Sequence, residues 1–201
     1  MKIKSHPAIA SRGRRRQGGA TLIEALVSIL IMSIGLLGIA GLQLNAMTFQ
    51  KNAWSTHRVA EVTNDLAERI RANPAGATNG DYSYTADYAT GAAATFTSNN
   101  CRTSGSFCST AQIAADDITD FVLKAQASLP QGAAQITGTP AAGFVITTMY
   151  MDKEFVNPAT GALLTTPTCT ATTTGIEWRN CCPAAANAPA GVRCRRFNII
   201  P

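Results

Sequence analysis

The chain has 201 residues, 46% of them hydrophobic and 14% charged, with a formal charge of +5 and only two histidines, His6 and His57. That length and apolar content suffice for one moderate domain or two small ones, but no Ser/His/Asp set, phosphate-cradling glycine loop or metal-ligand cluster can be assembled, so neither an enzyme nor a bound cofactor or metal is expected. A positive balance ordinarily points to nucleic acid or an anionic surface, yet Lys2, Lys4, Arg12, Arg14, Arg15 and Arg16 supply six of the 17 basic side chains, which leaves 11 against 12 acidic ones after Gly19.

Residues 14–27, RRRQGGATLIEALV, pass from an arginine block through Gly18-Gly19 into an apolar run in which, from Ala20 to Gln50, Glu24 is the one ionisable side chain. About twenty such residues cross a bilayer. A carboxylate in hydrocarbon is costly and is read as a functional group that needs a partner, the alternative being a side chain that reaches the headgroups from an interfacial position. A secretory signal is cut after its apolar stretch; here the glycines come first, so cleavage at them would leave the apolar segment on the product. An uncleaved signal anchor is the other reading. In both, the positive-inside rule holds the arginine block in the cytoplasm and sends the chain after about residue 45 outward.

No proline interrupts residues 20–73, so one helix of about 54 residues, roughly 80 Å long, is predicted. Its first part, 20–50, is the transmembrane segment, and 51–74 is an amphipathic continuation. There Val59, Val62, Leu66 and Ile70 repeat at helical spacing, with Glu61, Asp65, Glu68 and Arg69 on other faces. Asp65 and Arg69, four apart, support the helix, and Pro74 stops it. Gly35, Gly38 and Gly41 interrupt the apolar part, each costing up to about 1 kcal/mol relative to alanine. Close packing of helices would compensate, as would a helix soft enough to stretch; otherwise they reflect the general frequency of glycine in membrane helices.

Residues 75–107, with Tyr82, Tyr84 and Tyr88 among small polar residues, read mostly as loop. Ser109 and Gln112 form a capping box ahead of a second helix through residue 129, on which Ile113, Ile118, Phe121, Val122 and Leu129 share a face; Pro130 ends it. Asp116, Asp117 and Asp120 are expected on a solvated face of that helix rather than at a calcium ion. Strands are predicted at GFVITTMYM (143–151), GIEWRNC (175–181) and GVRCRRFNII (191–200). Helix first and sheet afterwards gives an α+β head over 75–201, with the amphipathic half-helix packed on a small antiparallel sheet.

All six cysteines, Cys101, Cys108, Cys169, Cys181, Cys182 and Cys194, follow the apolar run, and no C-x-x-C pair occurs. Disulfides in an oxidising compartment are expected rather than zinc. Cys101 and Cys108 close a short loop before the second helix. Adjacent Cys181 and Cys182 would strain the peptide by pairing with each other, so each is expected to reach one of Cys169 and Cys194, in an order that spacing leaves open.

GATLIEALVSILIMSIGLLGIAGLQ, after its basic leader, resembles the N-terminal signal of type IV pilins and pseudopilins. The resemblance implies a pilin-like fold, a leader of residues 1–19, scission between Gly19 and Ala20 by a prepilin peptidase, and N-methylation of Ala20. It also implies an assembly role for Glu24, paired with the Ala20 amine of a neighbouring subunit. The family's usual first residue is phenylalanine where this chain has Ala20, and major pilins commonly carry proline where it has Gly41. VTNDLAERIRANPAG, the C-x6-C pair and LPQG are similar to the PilV type of minor pilin. That group implies a subunit that primes assembly of type IV pili and enters them at or near the tip. Its partners would be other minor pilins, the major pilin and a tip adhesin, with the protein held in the bacterial inner membrane by a single pass and its head in the periplasm. A type II secretion pseudopilin is the alternative. A DNA-capturing minor pilin is a third reading, motivated by Arg193, Arg195 and Arg196 beside Phe197, but nucleic acid is not the expected partner because a charge-protected strand edge explains the same residues.

Overall fold

The computed structural model describes residues 21–103, 105 and 107–200. Helix α1 runs over Leu22–Ala72; the predicted cleavage and methylation positions, Gly19 and Ala20, lie outside the described residues. The chain divides into two compact units, one through Met47 and one from Thr48 onward.

The second unit is an α+β head. Asn73 separates α1 from α2 (Pro74–Asn79): its side chain accepts from the Gly76 N–H, and Pro74 occupies the first helical turn, where its missing N–H costs nothing. Pro74 thus ends one helix and begins another. A short strand β1 (Tyr84–Thr85) and helix α3 (Tyr88–Ala93), capped by Asp87, follow within the stretch expected to be loop. Helix α4 (Thr110–Ser128) begins at the reciprocal Ser109/Gln112 capping box. Gly132 makes the turn out of α4, where a Cβ would collide with the Ala125 carbonyl. Strands β2 (Ala133–Thr139) and β3 (Gly143–Met151) form a hairpin. Next come helix α5 (Gly175–Asn180), a 3-10 turn over Ala184–Ala186, and β4 (Val192–Ile199).

The four strands form an antiparallel sheet in the order β1-β2-β3-β4. Alternation along a strand sends neighbours to opposite faces, and both faces are covered. On one, Val62, Leu66 and Ile70 of α1 and Ala114, Ile118, Phe121 and Val122 of α4 pack on Ala134, Ile136, Phe144 and Ile146. On the other, Tyr88, Cys182 and Ala186 pack on Ala133, Met149, Val192 and Cys194. The sheet is therefore the middle layer of the head, and the apolar stripe predicted on the second half of α1 is its contact with the sheet.

Three disulfides join Cys101 to Cys108, Cys169 to Cys181 and Cys182 to Cys194. Two sequence expectations are corrected. Residues 175–180 are helical, not a strand: Gly175 takes a positive φ of 61° that turns the chain after Thr174, and the Cys181 N–H closes the helix on the Glu177 carbonyl. Asp116 and Asp117 do not lie on a solvated face; they are 4% and 6% exposed, because α4 turns them toward α1 and toward the Cys101–Cys108 loop, both of which bring arginines.

Candidate functional site

The first unit is chemically simple. Every residue from Thr21 to Met47 is exposed, including Leu22, Ile23, Leu26, Leu30, Ile34 and Leu37. By length and composition this part of α1 can cross a membrane. Its few polar side chains are consistent with an apolar medium, since Ser28 and Ser33 donate to the Glu24 and Ile29 carbonyls one turn back, at 2.8 and 2.7 Å. Among the described residues a Cβ added at Gly35, Gly38 or Gly41 would meet nothing within 4 Å, so no contact among them calls for glycine there.

Glu24 lies in the first turn of α1, where the positive end of the helix dipole favours a carboxylate, and its N–H reaches Thr21 Oγ1 at 3.4 Å. Toward the C-terminus the next ionisable side chain in the sequence is Lys51, 27 residues on. Among the described residues of this unit none supplies a cation to neutralise Glu24 and none buries the apolar surface around it.

The head's ionic centre is absent from the first unit and was not foreseen from the sequence. Arg69 contacts Asp65 at 3.0 Å, Asp117 at 3.1 Å and Asp120 at 2.9 Å. Lys124 bridges Asp65 and Asp120 at 2.8 and 2.7 Å, and Arg102, carried by the Cys101–Cys108 loop, reaches Asp116 at 3.4 Å and Asp120 at 3.2 Å. All three cations converge on the same oxygen, Asp120 Oδ2. Burial alone would raise the Asp65 and Asp120 carboxyls. The neighbouring cations outweigh it, Lys124 and Arg69 at Asp65, Lys124 and Arg102 at Asp120, and hold both below the usual aspartate range. Tyr82 donates to Asp117 Oδ2 at 2.7 Å; burial, then that bond to a carboxylate, push its phenol far up, so it remains a donor. The Asp65–Arg69 spacing was one visible signal of this centre. Its joining to α4, 48 residues on from Arg69 to Asp117, had none.

The arginines of β4 are engaged within the head. Arg193 pairs with buried Asp152 at 3.0 Å and lies over Phe155, Arg195 donates to Asn180, and Arg196 lies over Trp178. Among the described residues no group of histidine, cysteine and acidic side chains could hold a metal ion.

Residues 14–40 match the family model described as the prokaryotic N-terminal methylation motif. Residues 41–119 match the one described as type IV pilin Tt1218 (Tt1218-like), a span that covers the second half of α1 and the first half of α4. Neither a curated protein nor a solved structure matches the chain.

Proposed function

This chain is a type IV pilin-like protein, and on that footing we propose that it is a minor pilin of the PilV type that primes filament assembly and enters the type IV pilus at or near its tip. The observation that carries the proposal is Glu24, the sole carboxylate of the apolar segment 20–50, in which every described side chain from Thr21 to Met47 is exposed. In this reading residues 1–19 are a leader and a prepilin peptidase cuts between Gly19 and Ala20. The new Ala20 amine is methylated and remains cationic. Before assembly, residues 20–50 anchor the protein in the bacterial inner membrane by a single pass, with the head in the periplasm.

In a filament the apolar helices of neighbouring subunits supply each other's missing contacts. Glu24 of one subunit pairs with the Ala20 amine of another. In a medium of low dielectric an unpaired carboxylate is expensive and a paired one is not, so the pair selects the register in which subunits stack. Gly35, Gly38 and Gly41, which no contact among the described residues requires, leave room for close helix approach and for local stretching on extraction from the bilayer. The head, covered on both faces of its sheet, meets other minor pilins, the major pilin and a tip adhesin as a finished body. The role is structural, in keeping with the family.

Terminal sequencing of the protein from cells with an active prepilin peptidase tests the processing step. A mature terminus at Ala20, and loss of cleavage in Gly19→Val, are expected; an intact Met1 terminus would overturn it. Deletion of the chain should abolish or reduce piliation. A loss of protein secretion with normal pili would instead favour the type II secretion pseudopilin.

A further inference from the structure

The Cys169–Cys181 bridge differs from the other two in its electrostatic surroundings. Arg196 of β4 directs Nη1 to 3.0 Å from Cys169 Sγ and 3.5 Å from Cys181 Sγ. Its guanidinium is 4.3 Å from the centre of the Trp178 ring, and its Nε is buried without a partner. The cation is thus held against two sulfurs and a ring, and among the described residues no carboxylate pairs with it. Burial pushes the Arg196 pKa down, yet an arginine keeps its proton at neutral pH.

A guanidinium gains little from a neutral disulfide and much from a thiolate. It therefore favours the state in which the bridge is open, and it stabilises the departing sulfur as a thiolate, which speeds exchange. Access exists as well. Cys169, the sulfur to be attacked, is only half-buried; Cys181 is 2% exposed and lies in the wall of a cleft of about 340 Å³ lined also by Pro167, Thr168, Thr173, Ile176 and Glu177, enough for a ligand of modest size. Cys182 and Cys194, by contrast, are 3% and 1% exposed in the core beneath the sheet, and among the described residues no cation touches their sulfurs.

We propose that Cys169–Cys181 is a thiol-exchange site for small thiols, activated by Arg196. The incoming thiol, its proton lost to solvent, attacks Cys169 Sγ as a thiolate. A mixed disulfide forms there, the Cys169–Cys181 bond breaks, and its electron pair leaves on Cys181 Sγ as a thiolate beside the guanidinium. Attack of that thiolate on the mixed disulfide restores the bridge and releases the thiol, so no oxidant or reductant beyond the thiol itself is needed.

The test incubates the full chain, in detergent at neutral pH, with reduced glutathione, quenches with an alkylating agent and maps the cysteine peptides over time. Glutathione on Cys169 with alkylated Cys181 should accumulate about tenfold faster than any thiol from Cys182–Cys194. Arg196→Gln should slow this exchange about tenfold, whereas Arg196→Lys, which keeps the charge, should retain most of it. Equal opening of Cys169–Cys181 and Cys182–Cys194 in the unaltered chain would overturn the proposal without any variant having to fold. So would an Arg196→Gln protein of unchanged circular dichroism that exchanges at the original rate.

Discussion

The two units of this chain treat charge and apolar surface in opposite ways. From Thr21 to Met47 every side chain is exposed and the one carboxylate has no cation near it along the helix; from Thr48 onward apolar stripes are covered on both faces of a sheet, and buried carboxylates are met by arginines. Sequence along one continuous helix separates the two regimes. Up to Met47 the apolar residues surround the helix and every described one is exposed; beyond Ser55 they narrow to a stripe, which finds a sheet. What the second unit completes by folding, the first leaves open among the described residues; in the function proposed above, a membrane or other subunits complete it.

If that contrast is correct, removing internal partners should damage only the head. Arg69→Ala should cost most. It leaves Asp117, 6% exposed, without its main cation, and breaking a buried pair from one side costs about 3–5 kcal/mol. Urea unfolding of the head should register that loss, and a change below about 1 kcal/mol would mean that the centre is no more than a surface network. Replacing Cys182 and Cys194 together by alanine should cost about 2–4 kcal/mol, as expected for a loop of 12 residues, read as a lower midpoint in the same titration. Ser109→Ala, which removes one half of the capping box on α4, should cost about 1 kcal/mol.

Acidity gives the smallest and most graded effect. Asp65 and Asp120 have folded-state values held below the usual aspartate range, where their cations outweigh burial. Their contribution is therefore complete above the unfolded-state value of about 3.9 and is lost as pH falls through the lower folded-state values. Thermal melting of the head should be flat across neutral pH on their account and decline below about pH 4. In Arg69→Ala that acid-side decline should be shallower.

How much of this could be seen in the sequence depended on whether the cause was local. The long helix, its stop at Pro74, the stripe of Val59, Val62, Leu66 and Ile70, the capping box at Ser109 and the strands at 143–151 and 192–199 all follow from spacing or from a few adjacent residues. Strand β2, AAQITGT, lacks the bulky β-formers that mark its partner and is held by its hairpin with β3. Residues 175–180 carry Ile176 and Trp178, which suggest a strand, but the turn set by Gly175 and the bridge at Cys181 decide otherwise. Excluding a Cys181–Cys182 bond followed from their adjacency; the choice of Cys169 for Cys181 and of Cys194 for Cys182 is made only by the folded chain, since both bridges span 12 residues. The same reason explains Asp116 and Asp117. Their helical spacing was visible, but the arginines that allow them to be buried arrive from α1 and from the Cys101–Cys108 loop.

Glu24→Val tests the central contrast most directly, with the variant's membrane level, the melting of its head and its abundance in sheared filaments measured on the same cells. A more apolar segment should insert at least as well, and a head that makes no use of Glu24 should melt unchanged. The account predicts normal amounts in the membrane, an unaltered head transition and loss of the chain from filaments. Filament incorporation at the original level would contradict it.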